Sequence, residues 1–194
     1  MGRPKESLPI GDTTLLGWQC RTLLACTSPV LVIGRDLEQD LPDLPEGVDV
    51  AHDELPGEGP LAAIAAGLRR LRRRHGFGDD DAAMTVGCDQ PFLTAEIVKG
   101  LRDRLGAAQL LMPRTDDKLQ PLTAVYRTAV VAAADRLLAA GSRRPRELAN
   151  AVDSAIVEAG ALRALDPELR FLGNLNHPDD YRAAVAALTP EGDA

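Results

Sequence analysis

Ala82–Leu93 reads AAMTVGCDQPFL, an apolar run that ends in a carboxylate and then a proline. A buried strand of this kind delivers Asp89 at its C-terminal end, where open α/β sheets place their ligands. Gln90 and Pro91 stop the strand, and Thr94 is placed to cap a helix over Ala95–Leu105. An aspartate in this position can equally close a turn or begin a solvated loop. The other motifs of the chain decide between these readings.

Apolar runs alternate with helical patterns on both sides of this stretch, as an α/β fold requires. Thr13–Ala25 has helical spacing, Val30–Ile33 is a β-branched run stopped by Gly34, and Val48–Ala51 is a weaker strand interrupted by Asp49. Leu61–Arg74 reads as a helix opened by Gly59-Pro60 and closed by Gly76. Strands are expected at Gln109–Met112, Leu122–Tyr126 and Phe171–Leu175. Helices are expected near Ala129–Ala140, Arg146–Val152 and Asp179–Leu188. The loop Glu38–Gly47, the acidic turn Gly78–Asp81 and the last residues are expected to be disordered. A mostly parallel sheet with helices on both faces satisfies this order.

The 194 residues suffice for one domain, 1–194, with a core that needs no disulfide or metal. A net charge of −7 argues against general affinity for nucleic acid or an anionic membrane. No apolar run approaches the ~20 residues of a membrane helix, and Met1–Leu8 is polar and charged, unlike a signal peptide. Cys20, Cys26 and Cys88 lack C-x-x-C spacing and fit a reducing compartment, so a cytoplasmic protein is expected.

Four further segments could carry chemistry. In GRPKESL (Gly2–Leu8), Lys5 offers a flexible ammonium that can act as a point charge for phosphate, or is simply solvated. In HDELPGEGPLAAI (His52–Ile64), Gly57 and Gly59 allow close backbone approach, Pro60 suits the first helical position, and Asp53 ends the preceding strand. LQPLTAVYR (Leu119–Arg127) places Gln120 where it could read a substrate edge or end a turn. GNLNHPDD (Gly173–Asp180) sets Asn174 and Asn176 beside a helix start whose first turn holds Asp179 and Asp180.

Two arginine clusters differ in meaning. Arg69, Arg70, Arg72, Arg73 and Arg74 end a helix, where cations complement its dipole. Arg143, Arg144 and Arg146 lie at a helix start, where a cation gains nothing from the dipole and an anion-binding role competes. No Walker A, HExxH or Ser/His/Asp pattern is present, which removes support for hydrolase and metalloprotease readings.

Taken in order, MGRPKESL, HDELPGEGPLAAI, VGCDQPFL, QPLTAVYR and NLNHPDD resemble the motif series of the molybdenum cofactor guanylyltransferases, nucleotidyltransferases of Rossmann-like fold. The resemblance spans residue 1 to about residue 188, and the order of the motifs is more specific than any one of them. It implies GTP and molybdopterin or molybdenum cofactor as substrates, molybdoenzymes as recipients, and Mg²⁺ as cofactor. It places Lys5 on the nucleotide phosphates, Asp53 on the nucleotide, Asp89 on both nucleotide and metal, and Asn174 and Asn176 near the pterin.

Three departures stand out. The family's L-A-G-G-x-S-x-R, which precedes its M-G-x-x-K, is not in this sequence, so the first strand and the glycine-rich phosphate loop are expected to be absent. The native start is expected some ten to twenty residues upstream, roughly one strand and loop. Gly34-Arg35 stand where the family has an Asn after its second strand, and N-T-P-E-D has become Asn176-His177-Pro178-Asp179-Asp180. Two rival readings follow: a CTP-dependent or sugar-phosphate nucleotidyltransferase, and a catalytically degenerate module that only binds the cofactor.

Overall fold

A computed structural model describes residues 4–52 and 57–189. Pro9–Ile10 (β1) and Thr13–Thr14 (β2) form a small hairpin that leads into helix α1, Leu15–Leu24, where the Thr14 hydroxyl accepts from Gly17 N. Val30–Gly34 (β3) and Val48–His52 (β4) pair in parallel. The connection between them is not disordered. Leu41 and Leu44 pack against the cluster of Leu16, Cys20 and Val30, and the Asp36 carboxylate accepts from Glu38 N. Asp49 of β4 does not interrupt the strand, and its Oδ2 lies 2.7 Å from His75 Nε2.

Helix α2, Pro60–His75, begins with Gly59 at φ 82° and Pro60 in its first turn, and ends on Gly76 at φ 70°. Both glycines hold left-handed backbone that a side chain would strain. Three arginines of the helix meet carboxylates: Arg69 meets Asp135, Arg72 meets Asp79, and Arg74 lies 3.5 Å from Asp49. The acidic turn that follows is ordered by the Asp81 carboxylate, which accepts from Gly78 N at 2.8 Å.

Ala82–Val86 (β5), Ala95–Arg104 (α3), Leu110–Thr115 (β6), Lys118–Leu119 (β7) and Thr123–Arg127 (β8) come next, then Val131–Ala139 (α4). The Thr94 hydroxyl accepts from Ile97 N, the cap expected for α3. Helix α5 is confined to Leu148–Ala151, preceded by a 3-10 turn at Pro145–Glu147, so the expected helix over Arg146–Val152 is shorter and split. Ser154–Glu158 (β9), Ala159–Leu162 (α6) and Pro178–Leu188 (α7) complete the order.

In the main sheet β5 and β6 both run antiparallel to β8, while β9 runs parallel to β6. Thus β5, β6 and β9 point one way, and β8 and the short β7 point the other. Alternation sorts the side chains. Leu110, Met112, Ala124 and Tyr126 face α2 and α4, while Leu111 and Val125 face α3, α6 and Phe171.

Two expectations about strands are corrected. Phe171–Leu175 is not a strand: Arg170–Leu172 is a 3-10 turn entered through Leu169 at φ 56°, with the Asp166 carboxylate accepting from Phe171 N. The turn drives Phe171 fully into the core. The sheet's last strand is instead Ser154–Glu158, whose three-residue apolar centre is too short to announce itself by periodicity. No helix among the described residues is long and apolar enough to cross a membrane.

β5, paired only with β8 and antiparallel to it, is less buried than a strand inside a helix-covered sheet. All five of its residues are half-exposed. The reason is a cavity of about 570 Å³ between β5 and β3, which leaves the two-stranded and five-stranded sheets unjoined.

Candidate active site at the carboxyl edge of the sheet

Gly87–Gln90 turns sharply off the end of β5, and three polar groups hold it there. Gly87 N donates to Gln90 Oε1 at 3.1 Å and to Leu122 O at 3.1 Å. Gln90 Nε2 sits 2.6 Å from the Thr123 hydroxyl, and both side chains are buried. Gln19, reaching from α1, donates to Gly87 O and Gln90 O. A Cβ on Gly87 would come within 2.9 Å of Asp89 Oδ1, so a side chain there would push the carboxylate aside.

Asp89 therefore projects from a fixed turn. Lys5 Nζ donates to Asp89 Oδ2 at 2.9 Å and to Asn176 Oδ1 at 3.2 Å. The three residues are separated by 84 and 171 positions in sequence. The pair remains reachable by solvent, with side-chain exposures of 34% for Lys5 and 22% for Asp89. Leu175 N donates to the Asp89 carbonyl at 3.0 Å, which ties the Gly173–His177 loop to the turn. The Asp180 carboxylate accepts from Asn176 N at 3.0 Å and His177 N at 2.8 Å. These backbone donors, His177 first, hold its carboxyl below the ordinary aspartate range. Its folded-state pKa is depressed, so its contribution to order is present at neutral pH and is lost as the pH falls through that value.

Cys88, beside this carboxylate, is pushed up to about 11, chiefly by burial and then by the negative charge of Asp89. It stays a neutral thiol at physiological pH and offers no nucleophile.

The remaining sequence-predicted residues are placed less uniformly. Asn174 is exposed in the same loop as Asn176. Gly59 and Pro60 open α2, and Arg143 lies against them: a Cβ on Gly59 would be 3.4 Å from Arg143 Cβ, and the Arg143 guanidinium pairs with Glu58. The second arginine cluster thus reaches the glycine turn through Arg143. Gln120 is engaged elsewhere, its amide donating to Thr115 Oγ1 at 3.0 Å. Asp53 lies outside the described residues.

Sequence reasoning passed over Gln19 and Gln90 as positioning residues. The available signal was a pair of glutamines in otherwise apolar surroundings, Gln19 within a helix and Gln90 before a proline. Replacing Gln90 with Leu leaves the buried Thr123 hydroxyl without its partner and removes one of the two acceptors of Gly87 N. Gln90→Leu is expected to lower stability by about 1–3 kcal/mol in urea unfolding. A change within a few tenths of a kcal/mol would refute the account of this turn.

One carboxylate, an amide oxygen and a bound ammonium mark a point where two oxygens converge on a positive charge. Mg²⁺ is commonly held by one or two carboxylates together with substrate phosphates, so this donor set fits it. Among the described residues no cluster of three or more Asp, Glu, His or Cys side chains could hold an ion without substrate.

The MobA-like NTP transferase domain family matches residues 1–156. A probable molybdenum cofactor guanylyltransferase of Methanothermobacter thermautotrophicus is 33% identical over 189 residues, covering 94% of this chain and 91% of that protein. A protein of the same description from Mycobacterium tuberculosis is 36% identical over 180 residues, covering 91% of this chain and 82% of its own length. Among solved structures, molybdopterin-guanine dinucleotide biosynthesis protein A from Archaeoglobus fulgidus superposes with a TM-score of 0.72 at 22% identity, covering 96% of this chain and 91% of that one. The 2-C-methyl-D-erythritol 4-phosphate cytidylyltransferase of Thermus thermophilus gives 0.67 at 18% identity, covering 95% and 93%. The fold is that of the nucleotidyltransferases, and by sequence the chain belongs to the MobA-like NTP transferase family.

Proposed function

We propose that this protein transfers GMP from GTP to the terminal phosphate of molybdopterin or its molybdenum-loaded form. The observation that carries the reading is the convergence of Lys5, Asp89 and Asn176 at the carboxyl edge of the sheet, in a chain whose relatives are named guanylyltransferases. An oxygen of the acceptor phosphate bonds to the α-phosphorus of GTP. The bond from that phosphorus to the α,β-bridging oxygen breaks, and pyrophosphate leaves with the electron pair. The acceptor oxygen is already ionised, so no general base is assigned.

Catalysis then rests on alignment and charge neutralisation. Lys5 turns its ammonium from Asp89 to the nucleotide phosphates. The glycine turn Gly57–Gly59 and Pro60 border the nucleotide, and the family resemblance assigns Asp53 to it as well. Asn174 and Asn176, on the loop held by Asp180, face the pterin, and Gln120 serves the acceptor only if released from Thr115. Asp89, together with Asn176, would hold Mg²⁺, which would supply a Lewis acid to offset charge on the phosphates.

The test is a nucleotide panel. Purified protein with Mg²⁺, molybdopterin and one of GTP, CTP, ATP or UTP is assayed for pyrophosphate. Release with GTP alone is expected. Release with CTP alone would reassign the enzyme as a cytidylyltransferase, and pterin binding without release from any nucleotide would make it a binding module.

A further inference from the structure

A second cavity, of about 560 Å³, lies between α1, the start of α3 and the turn that carries Phe171. Lys5, Asp89 and Asn176 do not line it, so it is separate from the site described above. Its walls are aromatic and aliphatic. Trp18 and Ala25 come from α1 and its end, Phe92 from the segment after Asp89, Leu165 from the segment after α6, and Leu188 from the end of α7. One wall is continuous with the turn that carries Asp89: Trp18 Nε1 donates to Pro91 O at 3.0 Å, and the neighbouring Gln19 donates to Gly87 O and Gln90 O.

Two charged side chains line the cavity, and they differ. Asp166 is committed to the fold, since its carboxylate accepts from Glu168 N and from Phe171 N, each at 3.1 Å. Arg170 is exposed, and its guanidinium lies 3.9 Å from the centroid of the Phe92 ring, a cation–π contact that holds it beside the cavity. Among the described residues no carboxylate pairs with it. A contact with a ring face uses none of its N–H donors, which stay available to an oxygen.

These features specify a ligand. The volume falls in the ~300–1,000 Å³ range of small-molecule sites, which are mostly apolar with a few polar groups that fix orientation. Two aromatic side chains favour a flat ring. A guanidinium favours a carboxylate, which it can bind through two parallel N–H···O bonds. We propose that this cavity binds a small organic acid with one ring, the ring against Trp18 and Phe92 and the carboxylate on Arg170. This inference does not depend on the functional reading above.

Trp18 is the only tryptophan of the chain, so its fluorescence reports on this cavity alone. Phenylbutyrate and its uncharged amide are titrated separately against the 194-residue protein. Phenylbutyrate is expected to change the Trp18 emission saturably and to bind about tenfold more tightly than the amide, as a hydrogen-bonded charge requires. Arg170→Gln, at an exposed position, is expected to abolish that preference and leave Tm unchanged. Ala25→Leu, which narrows the cavity from an exposed helix end, is expected to weaken both ligands by about tenfold or more. A linear quench without saturation, equal binding of acid and amide, or a preference that survives Arg170→Gln would overturn the proposal. Undiminished binding by Ala25→Leu would also overturn it, because the ligand would then lie outside the cavity.

Discussion

Asp89→Asn is expected to leave the fold intact while cutting Mg²⁺-dependent pyrophosphate release from GTP by about 10²–10³-fold, the size of effect seen when one charge-stabilising group is removed from a reacting centre. The substitution keeps the shape of the side chain and removes its charge. Its stability cost is small, because the Lys5–Asp89 pair is partly exposed and such pairs contribute about 0–1 kcal/mol. The Asp89 carbonyl, which receives Leu175 N, is untouched, so the loop bearing Asn176 stays in place. Turnover and urea midpoint measured on the same preparation separate the two effects. Wild-type turnover would remove Asp89 from the reaction, and a lost fold would mean the carboxylate is structural.

Phe171→Ala is expected to have the largest effect on stability, a loss of about 3–5 kcal/mol. Phe171 is fully buried and packs with Leu101, Leu111, Val125 and Leu162, joining α3, the sheet and α6. That is a large part of the ~5–15 kcal/mol by which a domain is stable. The loop that follows carries Leu175 and Asn176, so activity should fall at temperatures where the fold still holds. A urea midpoint lowered by less than the equivalent of about 1 kcal/mol would show that the cluster closes around the missing ring.

The contrast between these residues explains what the sequence disclosed. Asp89 was legible because a strand end, a proline and a capping threonine punctuate the chain around it. Helix α2 was legible for the same reason, with Pro60 at its start and Gly76 at its end. Lys5 and Asn176 could be named as candidates, but their meeting at Asp89 depends on contacts across 84 and 171 residues that no local pattern encodes. Phe171–Leu175 was misread because its apolar content serves a buried turn, set by Leu169 and Asp166, and composition alone does not separate a plug from a strand. Ser154–Glu158 was missed for the converse reason, since its strand character comes from pairing with β6. Gln19 and Gln90 show a third limit. A buried amide is informative only when its partners are known, and these lie in the very turn they hold.

The most direct measurement of the central claim is a crystal structure of this protein with GTP and Mg²⁺. The account places the nucleotide phosphates against the Lys5 ammonium, with the ion on an Asp89 oxygen at the ~2.0–2.1 Å typical of magnesium. Nucleotide bound elsewhere, with Lys5 still paired to Asp89 and no ion on that carboxylate, would contradict it.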